Sequence, residues 1–235
     1  MRRLLPVPIL ILSQLLAGCW EFIEPEFAEQ DATTVMQVDA RMNDQGDFFL
    51  SGLLVPGLDE NGFVRAVVRD TLFVFGIPVA PSDTNPAGGR VYNLSTRLGP
   101  QVLARPFTIE PPVVAGVGPG PAVRLSAPLP LDPDTIRVAR GADLVVRIAY
   151  DTAIADPRPT QQWFFELSAG LSRFQIGSNS PPPNRLIMPA IFIPQPSDSV
   201  VRGLFTSFQT AQIFQNEYRG VYSLTVQFDH TIIIR

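Results

Sequence analysis

Residues 222–235 read Tyr-Ser-Leu-Thr-Val-Gln-Phe-Asp-His-Thr-Ile-Ile-Ile-Arg, and their alternation decides the fold class. Tyr222, Leu224, Val226, Phe228, Ile232 and Ile234 fall on one side. Ser223, Thr225, Gln227, Asp229, Thr231 and Arg235 fall on the other. Period-two patterning over this length belongs to a half-buried β-strand, because successive side chains of an extended backbone point to opposite faces. A strand this long is expected to run through the centre of a sheet or to bend between two sheets.

The same pattern recurs upstream. Met36, Val38, Ala40 and Met42 alternate with Gln37, Asp39 and Arg41, then residues 43–47 (Asn-Asp-Gln-Gly-Asp) supply a tight turn and 48–55 resume a β run. That is a hairpin signature. A second turn, Asp59-Glu60-Asn61-Gly62, leads into residues 63–75, read as one strand with Val64, Ala66, Val68, Leu72 and Val74 on one face and Arg65 and Arg69 on the other. Residues 78–89 form a loop, and shorter strands are expected at 90–95, 106–109, 122–129 and 143–150. Residues 111–121 are too rich in Pro and Gly for a central strand or a helix.

Two stretches fit either period. Residues 160–176 place Trp163, Leu167, Leu171 and Phe174 at helical spacing, and 199–218 do the same with Val200, Leu204, Phe208 and Ala211. The β surroundings favour strand in both. With 24 Pro and 17 Gly, no alternation of strand with helix and turn signals every ten or so residues, the expected fold is all-β. We expect an antiparallel β-sandwich over residues 33–235, with an immunoglobulin-like topology as the default. A closed transmembrane barrel fits less well, because the Pro-rich loops space the strands irregularly.

The N-terminus has a different character. Met1-Arg2-Arg3 precedes an apolar run over residues 4–16 that is interrupted by Pro6 and Pro8 and diluted by Ser13 and Gln14. It falls short of the roughly 20 apolar residues a membrane helix needs and reads as an export signal. Directly after it stands Leu16-Ala17-Gly18-Cys19, which resembles the lipobox of bacterial lipoproteins: Leu, two small residues and an obligatory Cys. Small side chains at Ala17 and Gly18 let a protease reach the backbone. The resemblance implies cleavage between Gly18 and Cys19, a diacylglycerol thioether on Cys19, and an acyl chain such as palmitate on the new amino group. Each buried methylene contributes about 0.8 kcal/mol, so two or more chains give stable anchoring.

By the same resemblance, Trp20 in place of the Asp that retains such proteins at the inner membrane implies the outer membrane. The expected organisation is a signal peptide at 1–18, a lipidated tether at 19–32 and the β-sandwich at 33–235. Residues 21–32 carry four Glu and one Asp with Pro25 and little periodicity, as a spacer would.

The composition excludes much chemistry. All eighteen basic residues are Arg, and the chain has one His and one Cys. An intrachain disulfide, a Cys/His zinc site, a Lys Schiff base and a P-loop lysine are therefore impossible. Loss of Arg2 and Arg3 with the signal takes the net charge from −4 to −6. A nucleic-acid surface wants a clustered basic excess, so no nucleic-acid partner is expected. The expected partners are the lipid bilayer, through the covalent acyl chains, and an envelope protein; no cofactor is expected.

Several groups could in principle carry chemistry. His230 neighbours Asp229, but strand neighbours point to opposite sides and no Gly-x-Ser-x-Gly motif accompanies them. Asp132 and Asp134 form one acidic arrangement. Asp151-Thr152-Ala153 loosely resembles the Asp-Thr-Gly of aspartic proteases but lacks the Gly, and the dipeptide recurs at Asp70-Thr71 and Asp83-Thr84. Asp44 with Asp47, or Asp132 with Asp134, offers oxygen ligands for calcium, although turn preference alone explains them. Arg65 and Arg69 suit an anion, or else a solvated surface. Trp163, Phe164, Phe165, Phe192, Phe205 and Phe208 suit an apolar groove, or else the core.

No catalytic or metal-binding residue is assigned from these. The expected function is a membrane-anchored envelope lipoprotein whose β-sandwich binds or attaches, and not an enzyme. The alternatives are a carboxylate-dependent envelope hydrolase and an accessory subunit of an outer-membrane complex.

Overall fold

A computed structural model describes residues 33–85, 88–99, 102, 105–150, 156–169, 172–193 and 200–235. Leu16, Ala17, Gly18 and Cys19, the tether, and the Asp151-Thr152 pair lie outside the described residues. The described chain belongs to one compact unit, Asp31–Arg235.

In chain order the strands begin with β1 (Thr34–Asn43), β2 (Asp47–Val55), β3 (Val67–Arg69), β4 (Leu72–Val74), β5 (Ile77–Val79), β6 (Asp83–Thr84) and β7 (Arg90–Arg97). Short strands follow as β8 (Phe107–Glu110), β9 (Val113–Val114), β10 (Gly118–Pro119), β11 (Val123–Leu125), β12 (Leu129–Pro130), β13 (Thr135–Val138) and β14 (Leu144–Ala149). The last group is β15 (Thr160–Ala169), β16 (Ser172–Ser178), β17 (Arg185–Met188), β18 (Val200–Gln215) and β19 (Tyr218–Ile234). Among the described residues no helix is long and apolar enough to cross a membrane.

The architecture is an all-β sandwich organised around its last hairpin. The main sheet runs β16-β15-β18-β19-β1-β2-β7-β6, with β13 also paired to β19. At about 3.3 Å per residue, the 17 residues of β19 span roughly 55 Å, long enough for two strands to share one of its edges. β1 takes the first part, from Thr34↔Tyr218 to Asn43↔Gln227, and β13 the last, from Thr135↔Thr231 to Val138↔Ile234. Both ladders are parallel, whereas the sequence pattern predicts antiparallel pairing. Parallel neighbours require a long crossover, and the whole intervening chain supplies it.

Smaller sheets, β11-β8-β4-β5, β10-β9-β3 and β12-β14-β17, complete the structure. The second layer meets the first at a ring cluster. Phe48 of β2 lies 5.8 Å from Phe75 in the β4–β5 turn and 6.1 Å from Phe107 of β8, and Phe75 lies 5.1 Å from Phe107. Side chains from two inner faces interdigitate in this way in a sandwich core. Phe75 and Gly76 both have positive φ, 53° and 77°, as a two-residue hairpin turn of the primed type requires. A bulky residue rarely tolerates that geometry; here burial of the Phe75 ring offsets the strain. At the β1–β2 turn Gly46 has φ 87°, and a Cβ there would meet Leu98 O at 2.2 Å.

Residues 160–169, 172–178 and 200–215 are strands, in keeping with the β context. Trp163, Phe165 and Leu167 are buried in alternation, and β15 is paired on both edges, so its backbone groups are satisfied in ladders and not by a helix. Residues 63–75, in contrast, are not one strand. β3 and β4 belong to different sheets, and a register shift occurs between Val67 and Arg69. Val64 and Val68 are exposed while Leu72 and Val74 are buried, so the single apolar face read from the sequence changes side at Asp70-Thr71. Residues 122–129 likewise split into β11 and β12, in separate sheets.

Candidate functional site

Pairing of β15 with β18 sets Thr160 opposite Thr210, Gln162 opposite Phe208 and Phe164 opposite Thr206. These side chains share the face away from Trp163, Phe165 and Phe205, because strand side chains alternate. Beyond β16 the chain turns at Asn179 and Ser180 into Pro181, Pro182 and Pro183. Between this wall and the two strands lies a groove of about 930 Å³, lined by Arg158, Thr160, Gln162, Asn179, Phe208 and Thr210 among others.

The groove is built from fixed parts. Thr160 Oγ1 donates to Thr210 O at 3.2 Å, and the Thr210 and Ser223 hydroxyls lie 3.4 Å apart. Ser180 Oγ donates to Ser178 Oγ at 2.9 Å, which ties the wall to the end of β16. Consecutive prolines restrict the backbone beyond it. Phe208 packs against Phe164 with centroids 5.9 Å apart. Gln161, also in the lining, donates through Nε2 to Tyr150 Oη, and its buried Oε1 has no partner among the described residues. Burial pushes the Tyr150 phenol up to about 12, against the lowering effect of that bond, so it stays neutral. The side chains of Arg158, Gln162 and Asn179 have no polar partner among the described residues. Among the described residues no Asp or Glu lines the groove.

Of the residues the sequence singles out, Phe208 lines the groove, and the titratable ones lie elsewhere. His230 is buried, with Nδ1 3.2 Å from Pro133 O, Nε2 without a partner among the described residues, and its ring edge-on to Phe228 at 5.5 Å. Asp229 points to the opposite side, where both its oxygens accept from Arg202 at 3.2 and 2.8 Å. Asp132 accepts from Arg147 Nε at 2.7 Å. Asp134 and Asp229 act electrostatically on Asp44, whose carboxyl is raised above the usual range chiefly by burial and secondarily by these two charges. Asp47 accepts from Asn43 Nδ2 at 3.0 Å, a turn contact. Among the described residues no group of three or more His, Cys, Asp or Glu is arranged to hold a metal.

Arg65 and Arg69 are neither solvated surface nor an open anion site. Arg65 Nε donates to Leu58 O at 2.9 Å, and its Nη2 pairs with Glu217. Arg69 Nη2 donates to Pro111 O at 2.9 Å, with the guanidinium 5.3 Å from the Phe73 ring centroid. Both fasten loops, which their position in an alternating run did not suggest.

The aromatic set divides. Trp163, Phe165 and Phe205 are core, Phe192 stacks on Phe174 at 4.5 Å, and Phe164 and Phe208 pair on the opposite face of the main sheet. Arg158, Gln162, Asn179 and Thr210 carry no motif. Their convergence becomes readable only once β15 and β18 are in register.

No family model matches. No curated protein sequence matches this chain either. Among solved structures, the chain is similar to the three N-terminal domains of the bacteriophage RB49 Highly Immunogenic Outer Capsid protein (Hoc), at 10% identity and TM-score 0.31, covering 86% of this chain and 70% of that one. It is also similar to the chicken CNTN1 FN1–FN3 domains, at 9% identity and TM-score 0.23, covering 84% and 67%. A third likeness is to a structure concerning host cell surface retention of a 1.5-MDa bacterial ice-binding adhesin, at 13% identity and TM-score 0.22, covering 88% and 67%. Similarities this distant assign no ligand and no residue role.

Proposed function

We propose that this chain is an exported lipoprotein of the bacterial envelope, held at the outer membrane by acyl chains on Cys19, with its β-sandwich serving as a binding module. The observation that carries the reading is Leu16-Ala17-Gly18-Cys19 directly after a short apolar run, with the chain's single Cys at the one position the motif requires. The acidic spacer at 21–32 supports it, since it holds the module off an anionic surface to which a net charge of −6 gives no attraction. Tethering raises the local concentration of the module at the membrane and so multiplies weak binding.

A binding role is supported by the groove, whose described lining offers amides, hydroxyls and an aromatic ring.

The test is fractionation of the full chain and its Cys19→Ala variant expressed in a double-membraned bacterium. The wild type is expected in the outer-membrane fraction and to partition into detergent. The variant is expected to lose both properties. Wild-type protein recovered in the soluble fraction, or a variant that still partitions into detergent, would overturn the proposal.

A further inference from the structure

We propose that the groove over β15 and β18 binds an oligosaccharide. This inference deepens the binding role proposed above by naming its ligand class, and it is independent of the Cys19 anchor.

The argument starts from the polar groups. Gln162 and Asn179 line the groove as exposed residues with no side-chain hydrogen bond among the described residues, and each amide offers donors and an acceptor side by side. Adjacent ring hydroxyls of a sugar present the same mixture. A ligand rich in hydroxyls can therefore satisfy these amides without bringing a charge out of water. Gln161 alternates to the inner face with Trp163 and Phe165, where its Nε2 donates to Tyr150 Oη, so it fastens the strand beneath the groove and offers the ligand no free group.

The apolar component points the same way. Phe208 is half-buried, is steadied by Phe164 at 5.9 Å and lines the groove. A sugar is amphipathic, with a ring face of C–H groups that packs on an aromatic surface while its edge hydroxyls reach polar partners. An apolar ligand would leave the amides unpaired, and an anionic peptide would find Arg158 as the one cation among the described lining residues. The proline wall and the Thr160–Thr210 contact hold the lining in place before binding, which lowers the ordering cost that a weak ligand must overcome. At about 930 Å³ the groove has room for several sugar rings.

Arg158 separates two sources of the same chemistry, neutral glycans and those carrying uronic acids. Isothermal titration on the detergent-solubilised full chain would use hexamers of β-glucan, α-glucan, N-acetylglucosamine and galacturonate. At least one hexamer is expected to bind at millimolar concentration or tighter. Phe208→Ala is expected to weaken it about tenfold, and Gln162→Ala several-fold. If galacturonate is the hexamer that binds, Arg158→Gln should weaken it about tenfold; if a neutral hexamer binds, that variant should leave it within twofold.

Circular dichroism of each variant must match the wild type, since all three positions lie on the groove and outside the core. Absence of binding by every hexamer would overturn the proposal, as would binding that persists unchanged in Phe208→Ala and Gln162→Ala. Cys19→Ser in the full chain should bind as wild type does. Retained binding with lost membrane association would separate failure of the anchor from failure of the groove.

Discussion

Phe205→Ala removes the middle ring of the ladder that joins β15, β18 and β19. Phe205 is fully buried, stacked on Phe228 at 4.5 Å and 17° and on Trp163 at 6.3 Å and 15°. Losing the side chain forfeits about 2–3 kcal/mol of transfer free energy. The cavity adds to this, because the neighbours that would have to collapse into it sit on paired strands. The expected total is about 3–5 kcal/mol. For a unit of this size, at about 2–4 °C per kcal/mol, the melting temperature should fall by roughly 6–20 °C.

Phe205→Leu, which keeps most of the volume, should cost less than about 1.5 kcal/mol. Urea unfolding would be followed by far-ultraviolet circular dichroism and by tryptophan fluorescence, for which Trp163 lies beside the substituted ring. Because β19 pairs with β1 along one part and β13 along another, both probes should report a single transition. A cost below about 1 kcal/mol for the alanine variant, or equal costs for alanine and leucine, would refute this account of the spine.

Other substitutions probe different features. Ser207 Oγ is buried with no partner among the described residues, so Ser207→Ala should stabilise by up to about 1 kcal/mol in urea melts, and a loss larger than that would reveal a hydrogen bond unaccounted for. A Cβ at Gly120 would lie 2.6 Å from Tyr218 Cζ, and the buried Tyr218 hydroxyl is bonded to that of Tyr222; Gly120→Ala should cost about 1–3 kcal/mol, and a neutral result would show that the ring yields.

Asp44 tests the sign of a pH effect. Its folded-state pKa is raised, so the folded protein holds this proton more tightly than the unfolded chain, and the contribution is favourable below about pH 4 and lost as pH rises through the folded value. Asp44→Asn should therefore stabilise at pH 7, by no more than about 0.5 kcal/mol because the group is partly solvated and screened. It should change little at pH 3. The opposite trend in melting temperature would mean that Asp44 is stabilised as a carboxylate.

Much of the fold was readable because alternation is local. The faces of β1, β2 and β19 follow from residue order alone, and the turn at 43–47 announces itself through Asn43 and Gly46. What was not readable is pairing. Nothing near Thr34 or Thr135 says that both strands dock on β19 in parallel, since that ladder joins residues nearly a hundred or more apart in sequence. Residues 63–75 misled because apolar residues happen to alternate across the break between β3 and β4. Arg65 and Arg69 looked like surface because their acceptors, Leu58 O, Ala115 O and Pro111 O, are backbone atoms that carry no sequence signal. The groove was hidden for the same reason: Gln162 and Phe208 become neighbours only through register, and Asn179 only through the turn after β16.

The anchor rests on four residues, Leu16, Ala17, Gly18 and Cys19, and one measurement addresses it most directly. Intact-mass spectrometry of the protein extracted from bacterial membranes should give a chain that begins at Cys19 and carries the added mass of a diacylglycerol and an amide-linked acyl chain. A chain with an unmodified Cys19 thiol, or one that retains residues 1–18, would contradict it.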